Sequence, residues 1–250
     1  MAIVVVFAGV FGAIIGSFLT VVAHRVPARE SIVSPGSACP SCGHELRWRE
    51  NVPIVSWLVQ RGRCANCGAA IGARYPALEG ATAVAFALVT AVHGLDPYLA
   101  LALPLAAVLI VVAVIDFEQQ VVPNPIVLVA AVYALPAWAV VDPGMLPEVA
   151  IAGAGAFLAF LLMALAYPAG MGMGDVKLAG VMGLYLGLDV VPAFLVAFLT
   201  GSVVGIVLIA RGGAGERRRG VPFAPFLALG GIVALLVGPE LIDLYADRFL

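Results

Sequence analysis

The sequence predicts an all-α protein whose helices cross a membrane, and its composition and its repeated apolar runs are the observations that predict this class. Of the 250 residues, 63% are hydrophobic and 11% are charged, whereas a soluble globular domain carries roughly 25% charged residues. Apolar runs recur along the whole chain, and a helix of about 20 mostly apolar residues is long enough to cross a bilayer. The formal net charge is only -2, so bulk charge indicates no class of partner.

Eight apolar runs make up the predicted bundle. They cover residues 2–22, 78–95, 98–115, 126–141, 149–167, 176–188, 190–210 and 221–244. The run 176–188 is the shortest, and two others contain Pro104 and Pro225, which spanning helices tolerate when neighbours satisfy the freed backbone groups. The first run lacks the basic segment that opens a signal peptide, so we expect a permanent span. Gly12 and Gly16 favour close packing of this span on a neighbour.

The arginines predict the orientation of the bundle, because Lys and Arg concentrate in the cytoplasmic loops of membrane proteins. Two predicted loops hold all but one of the arginines, which are Arg25, Arg29, Arg47, Arg49, Arg61, Arg63 and Arg74 in one loop and Arg211, Arg217, Arg218 and Arg219 in the other. Only Arg248 falls on the predicted outer side. Eight crossings would put both termini outside the plasma (inner) membrane. Because two spans separate the cysteine loop from Asp116, and two more separate Asp116 from Asp175, all three should share the cytoplasmic side.

All four cysteines of the chain lie in the predicted loop between the first two spans. They form two Cys-x2-Cys pairs, which are Cys39 with Cys42 and Cys64 with Cys67. Thiolates in two such hairpins are typical of a closed tetrahedral zinc site, and a bound metal would help a loop of this size to fold. The alternative is a redox or disulfide role, which a cytosolic location disfavours.

Two aspartates at the ends of predicted spans are the candidate catalytic residues. Asp116 ends the third span and Asp175 opens the sixth. Two neighbouring carboxylates share a proton, so one can activate water while the other donates a proton. The residues alone leave other interpretations open: an ordinary boundary carboxylate, a helix cap by Asp175, or proton- or ion-coupled transport. Gly172 and Gly174 favour a sharp bend beside Asp175 and close approach of a substrate strand.

In their order along the chain, the motifs resemble those of type IV prepilin peptidases, which are membrane aspartic peptidases of the GxGD kind. The matching segments cover nearly the whole chain and are 16–19 (GSFL), 24–27 (HRVP), 39–42 (CPSC), 46–48 (LRW), 51–53 (NVP), 56–58 (SWL), 62–67 (GRCANC), 74–76 (RYP) with Glu79, 116–118 (DFE), 122–124 (VPN), 172–178 (GMGDVKL) and 221–227 (VPFAPFL). In the last segment, Val221 and Ala224 stand where Ile and Gly are more usual.

The resemblance implies that Asp116 and Asp175 are the catalytic pair of an endopeptidase. Its substrates would be type IV prepilins or pseudopilins, cut after a short basic leader at the cytoplasmic face, for pilus assembly or type II secretion. Many members also methylate the new N-terminus with S-adenosylmethionine, although no residue here indicates a methyl-donor site. The expected partners are these substrates and membrane lipid, with no nucleic acid. A carboxylate-coupled transporter with a zinc-bearing regulatory loop, or a non-catalytic assembly platform, would be the alternatives.

The predicted organisation therefore has three parts. Residues 1–22 form the first span, residues 23–77 form a four-cysteine zinc-binding insert in the cytoplasm, and residues 78–250 form the membrane-embedded peptidase core. Glu79 would open the second span, where the positive end of a helix favours an acid.

Overall fold

The structure, a computed structural model, describes residues 1–168, 170–212 and 221–249, and this part of the chain is all-helical. Its nine α-helices are α1 (Ala2–Arg25), α2 (Val55–Val59), α3 (Arg74–His93), α4 (Leu99–Gln119), α5 (Asn124–Val141), α6 (Leu146–Ala166), α7 (Met173–Leu186), α8 (Val190–Gly212) and α9 (Ala224–Phe249). Short 3-10 turns lie at Trp48–Glu50, Pro143–Met145 and Gly187–Asp189. The predicted fold class is confirmed, and the arginine cluster 217–219 lies outside the described residues.

The helices have the lengths and compositions of a multi-pass membrane protein. Among the described residues, six helical stretches are long and apolar enough to cross a bilayer, and the longest, Met173–Arg211, contains both α7 and α8. The apolar part of α9, Ala224–Gly238, is shorter. Helix α7 has 14 residues, or about 21 Å, which is less than the roughly 30 Å hydrocarbon core. The number of membrane-length helices is therefore six to eight.

Residues Met1–Leu95 form the first of two compact units, in which α1 packs along α3. Small residues allow this close approach: a Cβ atom on Gly16 would lie 2.7 Å from the Cα of Glu79, and one on Gly12 would lie 2.7 Å from the carbonyl oxygen of Thr82. The predicted packing role of both glycines is confirmed.

Helix α3 begins at Arg74, four residues before the predicted start of the second span at residue 78. Pro76 permits this because it lies in the first helical turn, where backbone N–H groups have no partner within the helix. Helix α3 packs within the first unit, and the three-part division at residues 22 and 77 stays a prediction.

Residues Asp96–Leu250 form the second unit, and α4 and α7 supply most of its interior. Helices α5 and α6 pack on α7, while α9 packs on both α4 and α8. Helices α6 and α7 approach closely, because a Cβ atom on Gly183 would lie 2.6 Å from the carbonyl oxygen of Ala152. Within its own unit, the short helix α7 is thus enclosed by protein.

Two aromatic side chains of this interior tie α5 to α7. The indole N–H of Trp138 donates to the carbonyl oxygen of Leu184 over 3.0 Å, and the hydroxyl of Tyr185 donates to that of Ala130 over 3.0 Å. Both aromatic side chains are buried. Their polar tips therefore find partners where the surroundings are otherwise apolar, as buried Trp and Tyr usually do.

The start of α9 differs from the prediction. The helix begins at Ala224 rather than at residue 221, so Pro225 occupies its second position, where the missing N–H leaves no hydrogen bond unmade. Pro104, in contrast, lies inside α4. Helix α9 also bends at Val237, whose φ of -143° is not helical.

Candidate active site and candidate metal centre

Asp116 lies in the last turn of α4, in the second unit, and its side chain is 6% exposed. Its Oδ2 atom accepts a hydrogen bond of 3.1 Å from the backbone N–H of Ala224, the first residue of α9. Helix α4 ends just beyond, at Gln120, whose left-handed backbone (φ 55°) lets its N–H donate to the carbonyl oxygen of Asp116 over 2.8 Å. The start of α9 thus holds the carboxylate of Asp116, while the end of α4 holds its backbone.

Asp175 is the third residue of α7, in the same unit, and it is 8% exposed. Its Oδ2 atom accepts a hydrogen bond of 3.3 Å from the backbone N–H of Gly172, just before the helix. An acid at this position commonly bonds back in this way, and it also favours the positive end of the helix dipole. The N-cap residue of α7 is therefore Gly172, not Asp175 as one alternative had it, and Asp175 caps the helix from its third position.

The structure brings the two aspartates together. Helices α4 and α7 are in contact, and the two carboxyl groups lie close enough for their charges to interact. Because both side chains are more than nine-tenths buried, little water screens this repulsion. A carboxyl pair of this kind can hold one proton between its members, which gives one acid and one base.

Gly174 has a packing role that the sequence did not indicate. A Cβ atom on Gly174 would lie 2.6 Å from the Cβ of Val122, which lies in the segment between α4 and α5. Gly172 has an ordinary φ of -81°. The close approach that the structure contains is therefore between the start of α7 and the segment that follows Asp116.

Three residues outside the predicted catalytic pair make hydrogen bonds in the segments around it. Besides Ala224, these are Lys177 and Asn124, since the amine of Lys177 donates to the Oδ1 atom of Asn124 over 2.8 Å. All three lie in segments that carry the family resemblance: VPFAPFL, GMGDVKL and VPN. The resemblance therefore pointed to these segments. The sequence does not show, however, which backbone N–H or side-chain amide bonds to which carboxylate or amine.

The four cysteines form one cluster within the first unit, as the sequence predicted. Their Sγ atoms all lie within 4.8 Å of one another, and those of Cys39 and Cys67 are 3.8 Å apart. Zinc bound tetrahedrally by thiolates at about 2.3 Å requires sulfur atoms about 3.8 Å apart. No disulfide joins these four residues. The cluster is therefore compatible with zinc.

Two equivalent turns build this cluster. The N–H of Cys39 donates to the carbonyl oxygen of His44, and the N–H of Cys64 donates to that of Ala69. In each turn the glycine after the second cysteine has a left-handed backbone, with φ 70° at Gly43 and 72° at Gly68. Glycine adopts this conformation without steric cost, which explains its place in both turns.

Backbone N–H groups in these turns favour thiolates. The N–H of His44, with the side-chain amide of Asn66, lowers the pKa of Cys42 to about 7. The N–H groups of Cys67 and Asn66 lower the pKa of Cys64. The neighbouring sulfur atoms, in contrast, raise the pKa of Cys67 to about 11. A thiolate is the form that binds metal, so the turns prepare Cys42 and Cys64 as ligands.

Glu79 has a role in the first unit that the sequence did not indicate. It lies in the second turn of α3 rather than at its start, and it is 7% exposed. Its Oε2 atom accepts a hydrogen bond of 2.7 Å from the backbone N–H of Ile54, just before α2. Glu79 thus fastens the cysteine loop to a membrane-length helix.

Comparison with known families and proteins gives matches along most of the chain. The bacterial peptidase A24 N-terminal domain matches residues 10–93, and the type IV leader peptidase family matches residues 103–210. A prepilin leader peptidase/N-methyltransferase of Bacillus subtilis is 36% identical, over 94% of this chain and 95% of its own. Proteins of the same description from Pseudomonas aeruginosa and Dichelobacter nodosus are 34% and 32% identical, over 94% and 96% of this chain and 90% and 93% of theirs. No solved structure matches the chain.

Proposed function

This chain belongs to the type IV leader peptidase family, and from that membership we propose that it removes the short basic leader from type IV prepilins or pseudopilins. Asp116 and Asp175 are the proposed catalytic residues. The observation that carries the proposal is the buried carboxyl pair, in which Asp116 is held by the backbone N–H of Ala224 at the start of α9 and Asp175 by that of Gly172 just before its own helix.

Hydrolysis by this pair needs one shared proton. The ionised aspartate takes a proton from water, the water oxygen bonds to the carbon of the scissile carbonyl, and the protonated aspartate gives its proton to the carbonyl oxygen. The tetrahedral intermediate then collapses: the C–N bond breaks, and the amine leaves with the proton first taken from water. As the new carboxyl group forms, the other aspartate takes back a proton from a hydroxyl of the intermediate, which restores the pair. The hydrogen bonds from Ala224 and Gly172 hold both carboxyl groups while the proton moves, which is the fixed geometry that catalysis requires.

The position of the pair suits a substrate that is itself in a membrane. Asp116 lies in the last turn of α4, a membrane-length helix, and Asp175 lies in the first turn of the buried helix α7. The apolar helix of a prepilin would be held by the bilayer, with its leader junction at the surface, so both partners would meet in a restricted and pre-oriented way. A transporter would place its acids near mid-membrane, so the positions favour the peptidase.

Co-expression with a candidate prepilin tests the proposal. Asp116→Asn and Asp175→Asn keep the shape of each side chain but remove the acid. We expect the shortened product, measured by mass, to fall about a hundredfold to ten-thousandfold with each variant. Asp142→Asn is the matched control, because Asp142 is exposed and caps only a 3-10 turn, and it should cleave normally. Folded Asp116→Asn and Asp175→Asn proteins that still cleave would refute the catalytic pair.

We also propose that both aspartates and the cysteine loop face the cytoplasm and that both termini lie outside, because the loop between α1 and α3 is rich in arginine. Gly36→Cys and Asp142→Cys give exposed labelling sites in the two kinds of loop. In intact cells a membrane-impermeant thiol reagent should label only the site at position 142. Labelling only at position 36 would show that the chain has the opposite orientation.

A second activity follows from the description of the relatives, which names an N-methyltransferase. We propose that this chain methylates the new N-terminus, with S-adenosylmethionine supplying the methyl group to the amine. No set of side chains in the described ranges is assigned to this cofactor, so no step is derived through it. Cleaved product should gain one methyl group when the cofactor is present. A cleaved product without this gain in mass would refute the methyltransferase activity but not the peptidase activity.

We propose that the four-cysteine cluster binds structural zinc. Cys39, Cys42, Cys64 and Cys67 would be the ligands, because their sulfur spacing suits tetrahedral coordination and the turns favour the thiolates of Cys42 and Cys64. The metal would join the two turns, which lie more than 20 residues apart in the sequence, and so hold the loop together. Its proposed role is in folding rather than in cleavage.

A further inference from the structure

The cysteine loop of the first unit presents an apolar and basic surface of its own. Helix α2 exposes Val55, Leu58 and Val59 at 55%, 61% and 77%. Residues three and four apart lie on one side of a helix, so these three side chains form one face. Nearby Trp48 is 75% exposed, and its turn, Trp48–Glu50, is in contact with α2. These four residues, with the arginines beside them, are called the Trp48 patch.

The orientation of α2 is fixed by its opposite side. The indole of Trp57 occupies the space where a side chain on Gly62 would be, with its ring 2.9 Å from the ideal Cβ position. The Trp57 N–H also donates to the carbonyl oxygen of Ile71 over 3.0 Å. Because Trp57 is held inward by these contacts, the face with Val55, Leu58 and Val59 is directed outward.

The charges around the patch are mainly positive. Arg47, Arg49 and Arg61 are exposed, and the guanidinium of Arg49 lies over the Trp48 ring at 5.0 Å. Glu50, in the same turn as Trp48, accepts hydrogen bonds from the N–H of Arg47 and from the ring of His44, so partners within the loop engage its charge. The patch therefore combines apolar side chains with a Trp and exposed arginines.

The position of the loop supplies the second argument. Both of its ends are membrane-length helices, α1 and α3. The N–H of Ile54, next to α2, is bound by Glu79 in the second turn of α3. This bond keeps α2 within reach of the bilayer surface to which α3 leads.

We propose that the Trp48 patch inserts into the headgroup region of an anionic membrane. Trp favours this region because its ring is apolar and its N–H polar, and arginines are attracted to anionic lipid headgroups. Short apolar faces flanked by basic residues bind in the plane of the interface in the same way. The patch would hold the cysteine cluster at a defined height on the membrane.

Fluorescence quenching in nanodiscs tests this with the full, zinc-loaded chain. The difference between the original chain and Trp48→Phe isolates the emission of Trp48, since Trp57 and Trp138 are common to both. Lipids brominated in their acyl chains should quench this component in bilayers containing phosphatidylglycerol, and less in pure phosphatidylcholine. Arg47→Gln/Arg61→Gln should weaken the quenching, whereas Arg29→Gln, an exposed arginine of the same loop outside the patch, should not.

Each alternative has its own outcome. Quenching of Trp48 by aqueous iodide but not by brominated lipid, in both kinds of bilayer, would mean that the patch faces water and would overturn the proposal. Equal quenching by brominated lipid in both bilayers would overturn the assignment to an anionic surface. Protection from iodide only after addition of a prepilin would make the patch a protein-docking surface instead. None of these readouts depends on peptidase activity.

Discussion

Lys177 and Asn124 are joined by a hydrogen bond of 2.8 Å between the amine of one and the side-chain oxygen of the other. Lys177 lies two residues after Asp175, and Asn124 opens α5, eight residues after Asp116. The bond therefore ties the helix that carries one aspartate to the segment that follows the other.

Loss of this bond should slow cleavage without preventing folding. We expect Lys177→Met to lower kcat about tenfold to a hundredfold, because small displacements of reacting groups have effects of this size, while KM changes little. Asn124→Leu removes the acceptor and should lower kcat by a similar factor. Asn124→Asp keeps an acceptor oxygen and should retain most of the activity. A Lys177→Met enzyme with normal kcat would show that the bond does not position the pair.

The hydrogen bond from Ala224 to Asp116 allows a test in which the donor N–H itself is removed. Ala224→Pro deletes the N–H at the first position of α9, where helices accept proline readily. A hydrogen bond to a charged group contributes about 1.5–3 kcal/mol, so we expect kcat to fall roughly tenfold to a hundredfold. Ala224→Ser keeps the N–H and is the control; an equal loss in both variants would indicate a packing defect instead.

Much of this architecture could be predicted from the sequence because it depends on local patterns. Apolar runs set the helices, and the two Cys-x2-Cys pairs, each pair followed by a glycine, set the geometry of the cysteine cluster. The contacts to Asp116 and Glu79 could not be predicted, since their donors are backbone N–H groups of Ala224 and Ile54, which carry no side-chain signal. Helix α7 is short for a membrane span, and its apolar composition reflects its burial within the protein.

A methyl group on Gly174 should disturb the site by overpacking. Gly174→Ala would place its Cβ 2.6 Å from that of Val122, and such overpacking typically destabilises by about 1–3 kcal/mol. We expect a lower midpoint of thermal unfolding in detergent together with reduced cleavage. Gly155→Ala is the matched control, because that glycine of α6 has open space around it. Equal stability of Gly174→Ala and the original chain would contradict the close packing.

Removal of metal should loosen the cysteine loop and leave the second unit folded. We expect the purified chain to hold one zinc, and Cys39→Ser or Cys64→Ser to lose it, because a closed site requires all four ligands. Protease cleavage within residues 26–73 should then become rapid, while Ser41→Ala, between the first two ligands, should leave metal and protection unchanged. Metal-free protein with a protease-resistant loop would exclude a structural role for zinc.

Glu79 should control how firmly the cysteine loop is held to α3. Ile54 has a φ of 61°, which is unfavourable for a β-branched residue, and the bond from its N–H to Glu79 helps to hold it there. Glu79→Leu leaves this N–H without its acceptor, at a typical cost of about 1–3 kcal/mol, whereas Glu79→Gln keeps an acceptor oxygen. Hydrogen exchange of residues 54–60 should therefore quicken in the Leu variant and change little in the Gln variant. Equal exchange in both, with zinc retained, would mean that the cysteine cluster alone holds α2 in place.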